Sequence, residues 1–406
     1  MRSENRVKKQ YEFLDWEIGA FFHYGIRTFN EENRDWDMKL MDPKTFNPTK
    51  QDCRSWIKAV KECGATYAIF TTKHHDGFAN WPSNYTEFSV KNSSYNGDTV
   101  KEFVEACREY DMKCGLYYSC AQFDTKDLGE AYDDVVVGQL TELLSNYGKI
   151  DYLWFDTCGS QGHEFDTDRI IKTIRGLQPE LLIFGPWDDD VRWIGNEWGL
   201  AHDKNLCDRD DGKGFMPGEC DFCITRNQRE NFWFYNDTHK DCVRTVDELV
   251  AIYDYSVGRG SNMLINIAPD RNGLLPEKNV QIFKDAMAEV KRRAVDCKIG
   301  SSAIINEGDY FYINLDKMTL IDYVEIEEDI TDGESVLEFD VEICSAFSPD
   351  EQIGVVRGYT IGHKRICTFA PIRGQMVCVH ITKSKGIPKI KAIRASFTKP
   401  EKIFQI

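Results

Sequence analysis

The apolar run Tyr67-Ala68-Ile69-Phe70-Thr71-Thr72 closes on Lys73-His74-His75-Asp76-Gly77-Phe78. Imidazoles at such a place can hold a metal, move a proton or hydrogen-bond a polar ligand. Neighbouring strand residues face opposite ways, so both histidines reach one ligand only where the strand ends and the chain bends. Gly77 permits that bend. Polar groups at the C-terminal tip of a strand are what a barrel enzyme uses to build its site. Taken alone, the pair is also readable as one packed and one solvated histidine.

Other apolar runs end in the same way. The first stops at His23, the third at Tyr117 and Ser119, the fourth in Trp154-Phe155-Asp156, and a later one in Val191-Arg192-Trp193-Ile194-Gly195-Asn196-Glu197. Asp156 follows a fully apolar strand; its alternative is to cap the next helix. Glu197 stands between Trp193 and Trp198, and an aromatic surround would raise its pKa as a proton donor requires. Two carboxylates in different settings, three histidines and several tryptophans form the mouth expected of a glycosidase. Aromatic faces stack on sugar C–H patches, while His, Arg and Tyr bind hydroxyls. A metal hydrolase using His74, His75 and Asp76 is the rival chemistry, though adjacent histidines converge on a metal less readily than an i, i+4 helix pair.

These tips need a scaffold. Strands are expected at Ile18–His23, Tyr67–Thr72, Lys113–Ser119, Tyr152–Phe155, Leu181–Phe184, Val191–Ile194, Phe232–Tyr235 and Met263–Ile267. Helical stretches alternate with them: Gln51–Cys63 with Thr49 as N-cap, Thr99–Tyr110 with Asp98 as N-cap, Val135–Tyr147, Asp168–Leu177 and Val246–Val257. The alternation predicts an α/β fold, a (β/α)8-like TIM barrel over residues 1–300. No Gly-x-Gly-x-x-Gly turn follows the first strand, which disfavours a doubly wound sheet. From 301 to 406 the pattern becomes short alternating strands, predicting a C-terminal antiparallel β-sandwich.

The 406 residues include 9 Trp, 18 Tyr and 24 Phe, an aromatic surplus that suits ring-shaped ligands. A net charge of −17 argues against nucleic acid and anionic membranes as partners. No apolar stretch approaches the roughly 20 residues that span a bilayer. The charged N-terminus has no signal-peptide core, and the 14 cysteines read as reduced thiols, so the expected location is cytoplasmic. Cys220 and Cys223 form a Cys-x-x-Cys pair near Cys207, His239 and Cys242, but zinc would want a second tight pair. The stretch from Asp203 to Asn231 reads as a long loop carrying cysteines without metal.

Combined, the motifs resemble the α-L-fucosidases of glycoside hydrolase family 29. They are Gly19-Ala20-Phe21-Phe22-His23-Tyr24-Gly25, Lys73-His74-His75-Asp76-Gly77-Phe78, Gly115-Leu116-Tyr117-Tyr118-Ser119, Trp154-Phe155-Asp156 and Gly195-Asn196-Glu197. Tyr255-Ser256-Val257-Gly258 and Asn262-Met263-Leu264-Ile265-Asn266-Ile267-Ala268-Pro269-Asp270 match too. The resemblance implies a retaining double displacement on a fucosylated oligosaccharide, with no cofactor and no metal. It makes Asp156 the nucleophile and sets His23, Trp36, His74, His75, Tyr117, Trp154 and Arg192 around the fucose ring. It gives the acid/base role to Glu197, with Glu219 as second choice. The segment from Asp190 to Glu197 resembles the branch selective for α-1,3/1,4-linked fucose, as do Trp81-Pro82-Ser83-Asn84-Tyr85-Thr86 and Phe88-Ser89-Val90-Lys91. Ser119-Cys120-Ala121-Gln122 departs from that branch, where Ser-Pro-Trp-Asp is common. A broad-specificity fucosidase and a non-catalytic fucose-binding protein are the alternatives; two carboxylates at the reacting bond disfavour the binder.

Overall fold

A computed structural model of the chain describes residues 2–30, 37–123, 129–156, 162–209, 214–300, 303–345 and 348–399. Two compact units divide the chain. One comprises residues 1–198, 221–245 and 264–284; the other comprises 199–220, 246–263 and 285–406.

Eight strands form a nearly closed parallel barrel. They are β1 (Ile18–Phe22), β2 (Tyr67–Lys73), β3 (Lys113–Ser119), β4 (Tyr152–Asp156), β5 (Leu182–Phe184), β6 (Arg192–Trp193), β7 (Gly218–Cys223) and β8 (Ser261–Asn266). Their order is β5-β4-β3-β2-β1-β8-β7-β6, and a parallel bridge from Phe184 to Val191 narrows the remaining gap. Strands buried on both faces read as continuous apolar runs, which is why β1 to β5 are plain in the sequence.

The seventh strand departs from expectation. Phe232–Tyr235 is not a strand; β7 lies at Gly218–Cys223, inside the stretch read as a loop. Its residues, Gly-Glu-Cys-Asp-Phe-Cys, are all buried, yet two are acidic and none is β-branched. Such a segment carries no strand signal of its own, because neighbouring strands rather than propensity define it.

The helices are α1 (Glu4–Leu14), α2 (Cys53–Cys63), α3 (Thr99–Glu109), α4 (Gly129–Asn146), α5 (Thr167–Leu177), α6 (Val246–Tyr255) and α7 (Glu277–Lys291). Asp98 caps α3 through the Lys101 N–H, as expected. The cap of α2 is Asp52 rather than Thr49: its carboxylate accepts from the Ser55 N–H at 3.1 Å. Helix α1 sits at the N-terminal ends of the strands. Phe13 packs on Tyr67 and Tyr152, the first residues of β2 and β4, at 5.8 and 5.3 Å between ring centroids. Phe21, Ile69, Tyr117, Trp154, Leu182 and Leu264 fill the interior above. With the bottom plugged by aromatic rings, a ligand is left the opposite, C-terminal face.

In the second unit six strands form one antiparallel sheet: β9 (Ile305–Glu307), β10 (Tyr310–Glu328), β11 (Val336–Ser345), β12 (Ser348–Gly358), β13 (Arg365–Ser384) and β14 (Ile390–Ser396). The short strands expected here are longer and continuous, with 19 residues in β10 and 20 in β13. Their pairing slips between Asn314 and Thr319 and again between Ile321 and Tyr323. Such irregularities bend a ribbon. One half of the β10–β13 ribbon pairs with β11 and the other with β14. The two layers close over Ile313, Ile321, Val324, Phe339, Val341, Val377 and Ile393, making the sandwich.

Candidate active site

A cavity of ≈ 500 Å³ opens at the C-terminal ends of the barrel strands, a size suited to a small ligand. His23, His74, His75, Tyr117, Trp154, Asp156, Arg192 and Glu197 all line it. Trp36 and Asp35 lie outside the described residues. Glu219 is fully buried on β7 and is not part of the lining.

The chain bends after β2 as its sequence requires. The Gly77 N–H donates to the His74 carbonyl at 3.0 Å, Asp76 Oδ1 accepts from the Phe78 N–H at 2.7 Å, and Gly77 has φ 86°. An L side chain rarely adopts that φ. The bend lets both imidazoles face the cavity, their ring centroids 4.0 Å apart.

Burial and hydrogen bonding fix what each histidine offers. Burial pulls the pKa of His23 and of His75 down to about 3, and that of His74 well below its ordinary value, so all three are neutral near pH 7. Asn266 Oδ1 accepts from the His23 backbone N–H at 3.1 Å and lies 2.9 Å from Nδ1. The Asn266 amide nitrogen donates to the Trp233 carbonyl at 2.8 Å, which orients that side chain. Nδ1 of His23 therefore carries the proton, and Nε2 is a lone-pair acceptor. His75 is the reverse. Ser119 Oγ accepts from the Ala121 N–H at 3.1 Å and lies 2.7 Å from His75 Nδ1. With the serine proton donated to Nδ1, the His75 proton sits on Nε2, 3.5 Å from Asp156 Oδ2.

Asp156 ends β4, beside Ser119 in the register with β3. The Tyr117 hydroxyl donates to its Oδ2 at 2.9 Å, and the side chain keeps 24% exposure. Tyr117, Trp154 and Phe184 stack in series, with centroid separations of 5.3 and 4.1 Å, giving the cavity an aromatic wall. This surface can take the apolar face of a sugar ring, while the histidines and Asp156 supply polar partners at its edge.

Beyond β5, buried Asp190 anchors the segment carrying Arg192 and Glu197. It takes Arg6 at 2.7 Å, Arg175 at 3.0 Å and the Ile183 N–H at 3.0 Å. Glu197 itself is exposed, and its backbone carbonyl accepts from Asn231 at 2.7 Å. The aromatic surround expected to desolvate it is open: Trp193 and Trp198 are 47% and 38% exposed. Sequence reasoning gave no role to Asp221 or Trp233, both of which line the cavity. Asp221 is buried and accepts from Trp193 Nε1 at 2.7 Å. Trp233 packs on His23 at 4.7 Å. The signal for Trp233 was present in the apolar run at 232–235, read as a strand; Asp221 lay in the supposed loop.

A nearly closed parallel barrel whose strand tips gather two carboxylates against aromatic walls is the architecture of a glycoside hydrolase. The α-L-fucosidase family profile matches residues 1–290. α-L-Fucosidase 1 of Arabidopsis thaliana is 29% identical over 418 residues, covering 88% of this chain and 80% of its own. Tissue α-L-fucosidase of Homo sapiens is 26% identical, covering 58% of this chain and 51% of its own. The crystal structure of a glycoside hydrolase 29 family member from an unknown rumen bacterium superposes with a TM-score of 0.87 at 30% identity, covering 98% of this chain and 77% of its own. The chain belongs to the α-L-fucosidase family, glycoside hydrolase family 29, and is a glycoside hydrolase. Among the described residues no helix is long and apolar enough to cross a membrane.

Proposed function

We propose that the protein hydrolyses terminal α-L-fucose from oligosaccharides with retention of configuration. Asp156 attacks the anomeric carbon as the glycosidic bond breaks, and Glu197 gives its proton to the leaving oxygen. Glu197 then takes a proton from water, whose oxygen attacks the same carbon and releases Asp156. The observation that carries this reading is Asp156 Oδ2, which accepts from Tyr117 at 2.9 Å and faces His75 Nε2 within the cavity wall. Both partners hold the carboxylate in one place without neutralising it, since His75 is uncharged. His23 Nε2 supplies an acceptor for a sugar hydroxyl. His74, Trp154 and Arg192 complete the sugar site.

The linkage proposed is α-1,3 or α-1,4, supported by the segment from Asp190 to Glu197 and by Trp81 to Thr86. The described cysteines are all free thiols, which supports a reducing compartment, the cytoplasm. Assays on an aryl α-L-fucoside, a Lewis-type trisaccharide and 2'-fucosyllactose test activity and linkage together. The trisaccharide is expected to be cleaved far faster than 2'-fucosyllactose. Equal rates on both would overturn the linkage, and no release from any of the three would overturn the activity.

A further inference from the structure

The outer face of the C-terminal sheet carries a donor set that the glycosidase reaction does not use. β11 and β13 pair antiparallel, with Asp340 opposite His380 and Glu342 opposite Cys378. Residues two apart on a strand share a face. The intervening Phe339, Val341, Ile343, Val377, Val379 and Ile381 lie in the apolar core. Asp340, Glu342 and His380 therefore project together from the opposite side. One ligand-capable atom from each lies within 4.8 Å of the other two, and all three residues are half-buried.

Two further observations set this cluster apart from a merely acidic surface. Among the described residues Glu342 Oε2 is buried and accepts no hydrogen bond, a costly state for a carboxylate oxygen left without a cation or donor. The His380 ring is held in place by stacking on Tyr310, its register partner on β10, at 4.1 Å and 9° between planes. Arg357, 76% exposed, approaches Asp340 at 4.0 Å and Glu338 at 3.6 Å from the solvent side.

We propose that Asp340, Glu342 and His380 form a divalent metal site that cross-links β11 and β13. One imidazole and two carboxylates suit Zn²⁺, whose bonds of roughly 2.0–2.2 Å to N and O draw such ligands together. The site has no part in sugar chemistry; a bound ion stabilises the sandwich by binding the folded state alone.

The test uses the full-length chain, stripped with EDTA and dialysed, with Zn²⁺ titrated calorimetrically and thermal unfolding followed with and without the ion. One Zn²⁺ per chain is expected, with a raised unfolding midpoint. His380→Ala and the near-isosteric Glu342→Gln should each weaken binding at least about tenfold and abolish the midpoint shift, while turnover of an aryl fucoside stays unchanged. Absence of Zn²⁺ binding, or equal affinity in the wild type and Glu342→Gln, would overturn the proposal. The glutamine variant serves even if the alanine variant does not fold.

Discussion

The Tyr117 hydroxyl donates to Oδ2 of Asp156 at 2.9 Å, across the register that sets Ser119 of β3 beside Asp156 of β4. The resemblance places Tyr117 at the sugar; its hydroxyl also holds the proposed nucleophile. A hydrogen bond to a charged group contributes about 1.5–3 kcal/mol.

Tyr117→Phe keeps the stacked ring and removes that bond. Its kcat/KM on an aryl fucoside should fall roughly 10- to 150-fold, with the thermal midpoint little changed. Unaltered kcat/KM would show that the bond does nothing for catalysis.

Glu197→Ala separates the two steps of the mechanism. Activated aryl fucosides need little proton assistance to leave, so they should suffer much less than a trisaccharide. Azide should then intercept the covalent intermediate and give α-fucosyl azide, detectable by NMR. Equal losses on both substrates would remove Glu197 as the acid and turn attention to buried Asp221, which accepts from Trp193 in the same cavity.

The histidines set a stability profile with a definite sign. In the unfolded chain they titrate near pH 6.5, whereas burial pulls His23 and His75 to about 3 in the fold. Below pH 6.5 the unfolded state binds more protons, so stability is complete above that pH and declines as pH falls toward 3. Each histidine contributes a slope of up to about 1.4 kcal/mol per pH unit. Thermal midpoints between pH 7 and 4.5 should fall less steeply in the double variant His23→Gln, His75→Gln than in the wild type. Identical slopes would mean that these imidazoles are not neutral and buried in the fold.

How much of this was legible in the sequence depends on whether a segment declares itself locally. Strands β1 to β5 did, because burial on both faces demands apolar runs. At their tips, His23, His74, His75, Tyr117 and Asp156 line the cavity. Gly218–Cys223 did not declare itself, because its acids and cysteines are accommodated by tertiary neighbours. Asp221 was lost with it. Trp233 sits on an apolar run that lines the site as a loop. In the sandwich, the bends in the long β10–β13 ribbon arise from register slips between strands, which no single strand's pattern encodes. The environment of Glu197 was also a tertiary matter: flanking tryptophans in sequence do not guarantee desolvation in space.

In the proposed mechanism Asp156 becomes covalently bonded to fucose. Incubation with 2-deoxy-2-fluoro-α-L-fucosyl fluoride should inactivate the enzyme, because the fluorine slows breakdown of the intermediate. Peptide mass spectrometry should then find one fluorofucosyl group, on Asp156. Label on another carboxylate, or inactivation with Asp156 unmodified, would show that Asp156 is not the nucleophile.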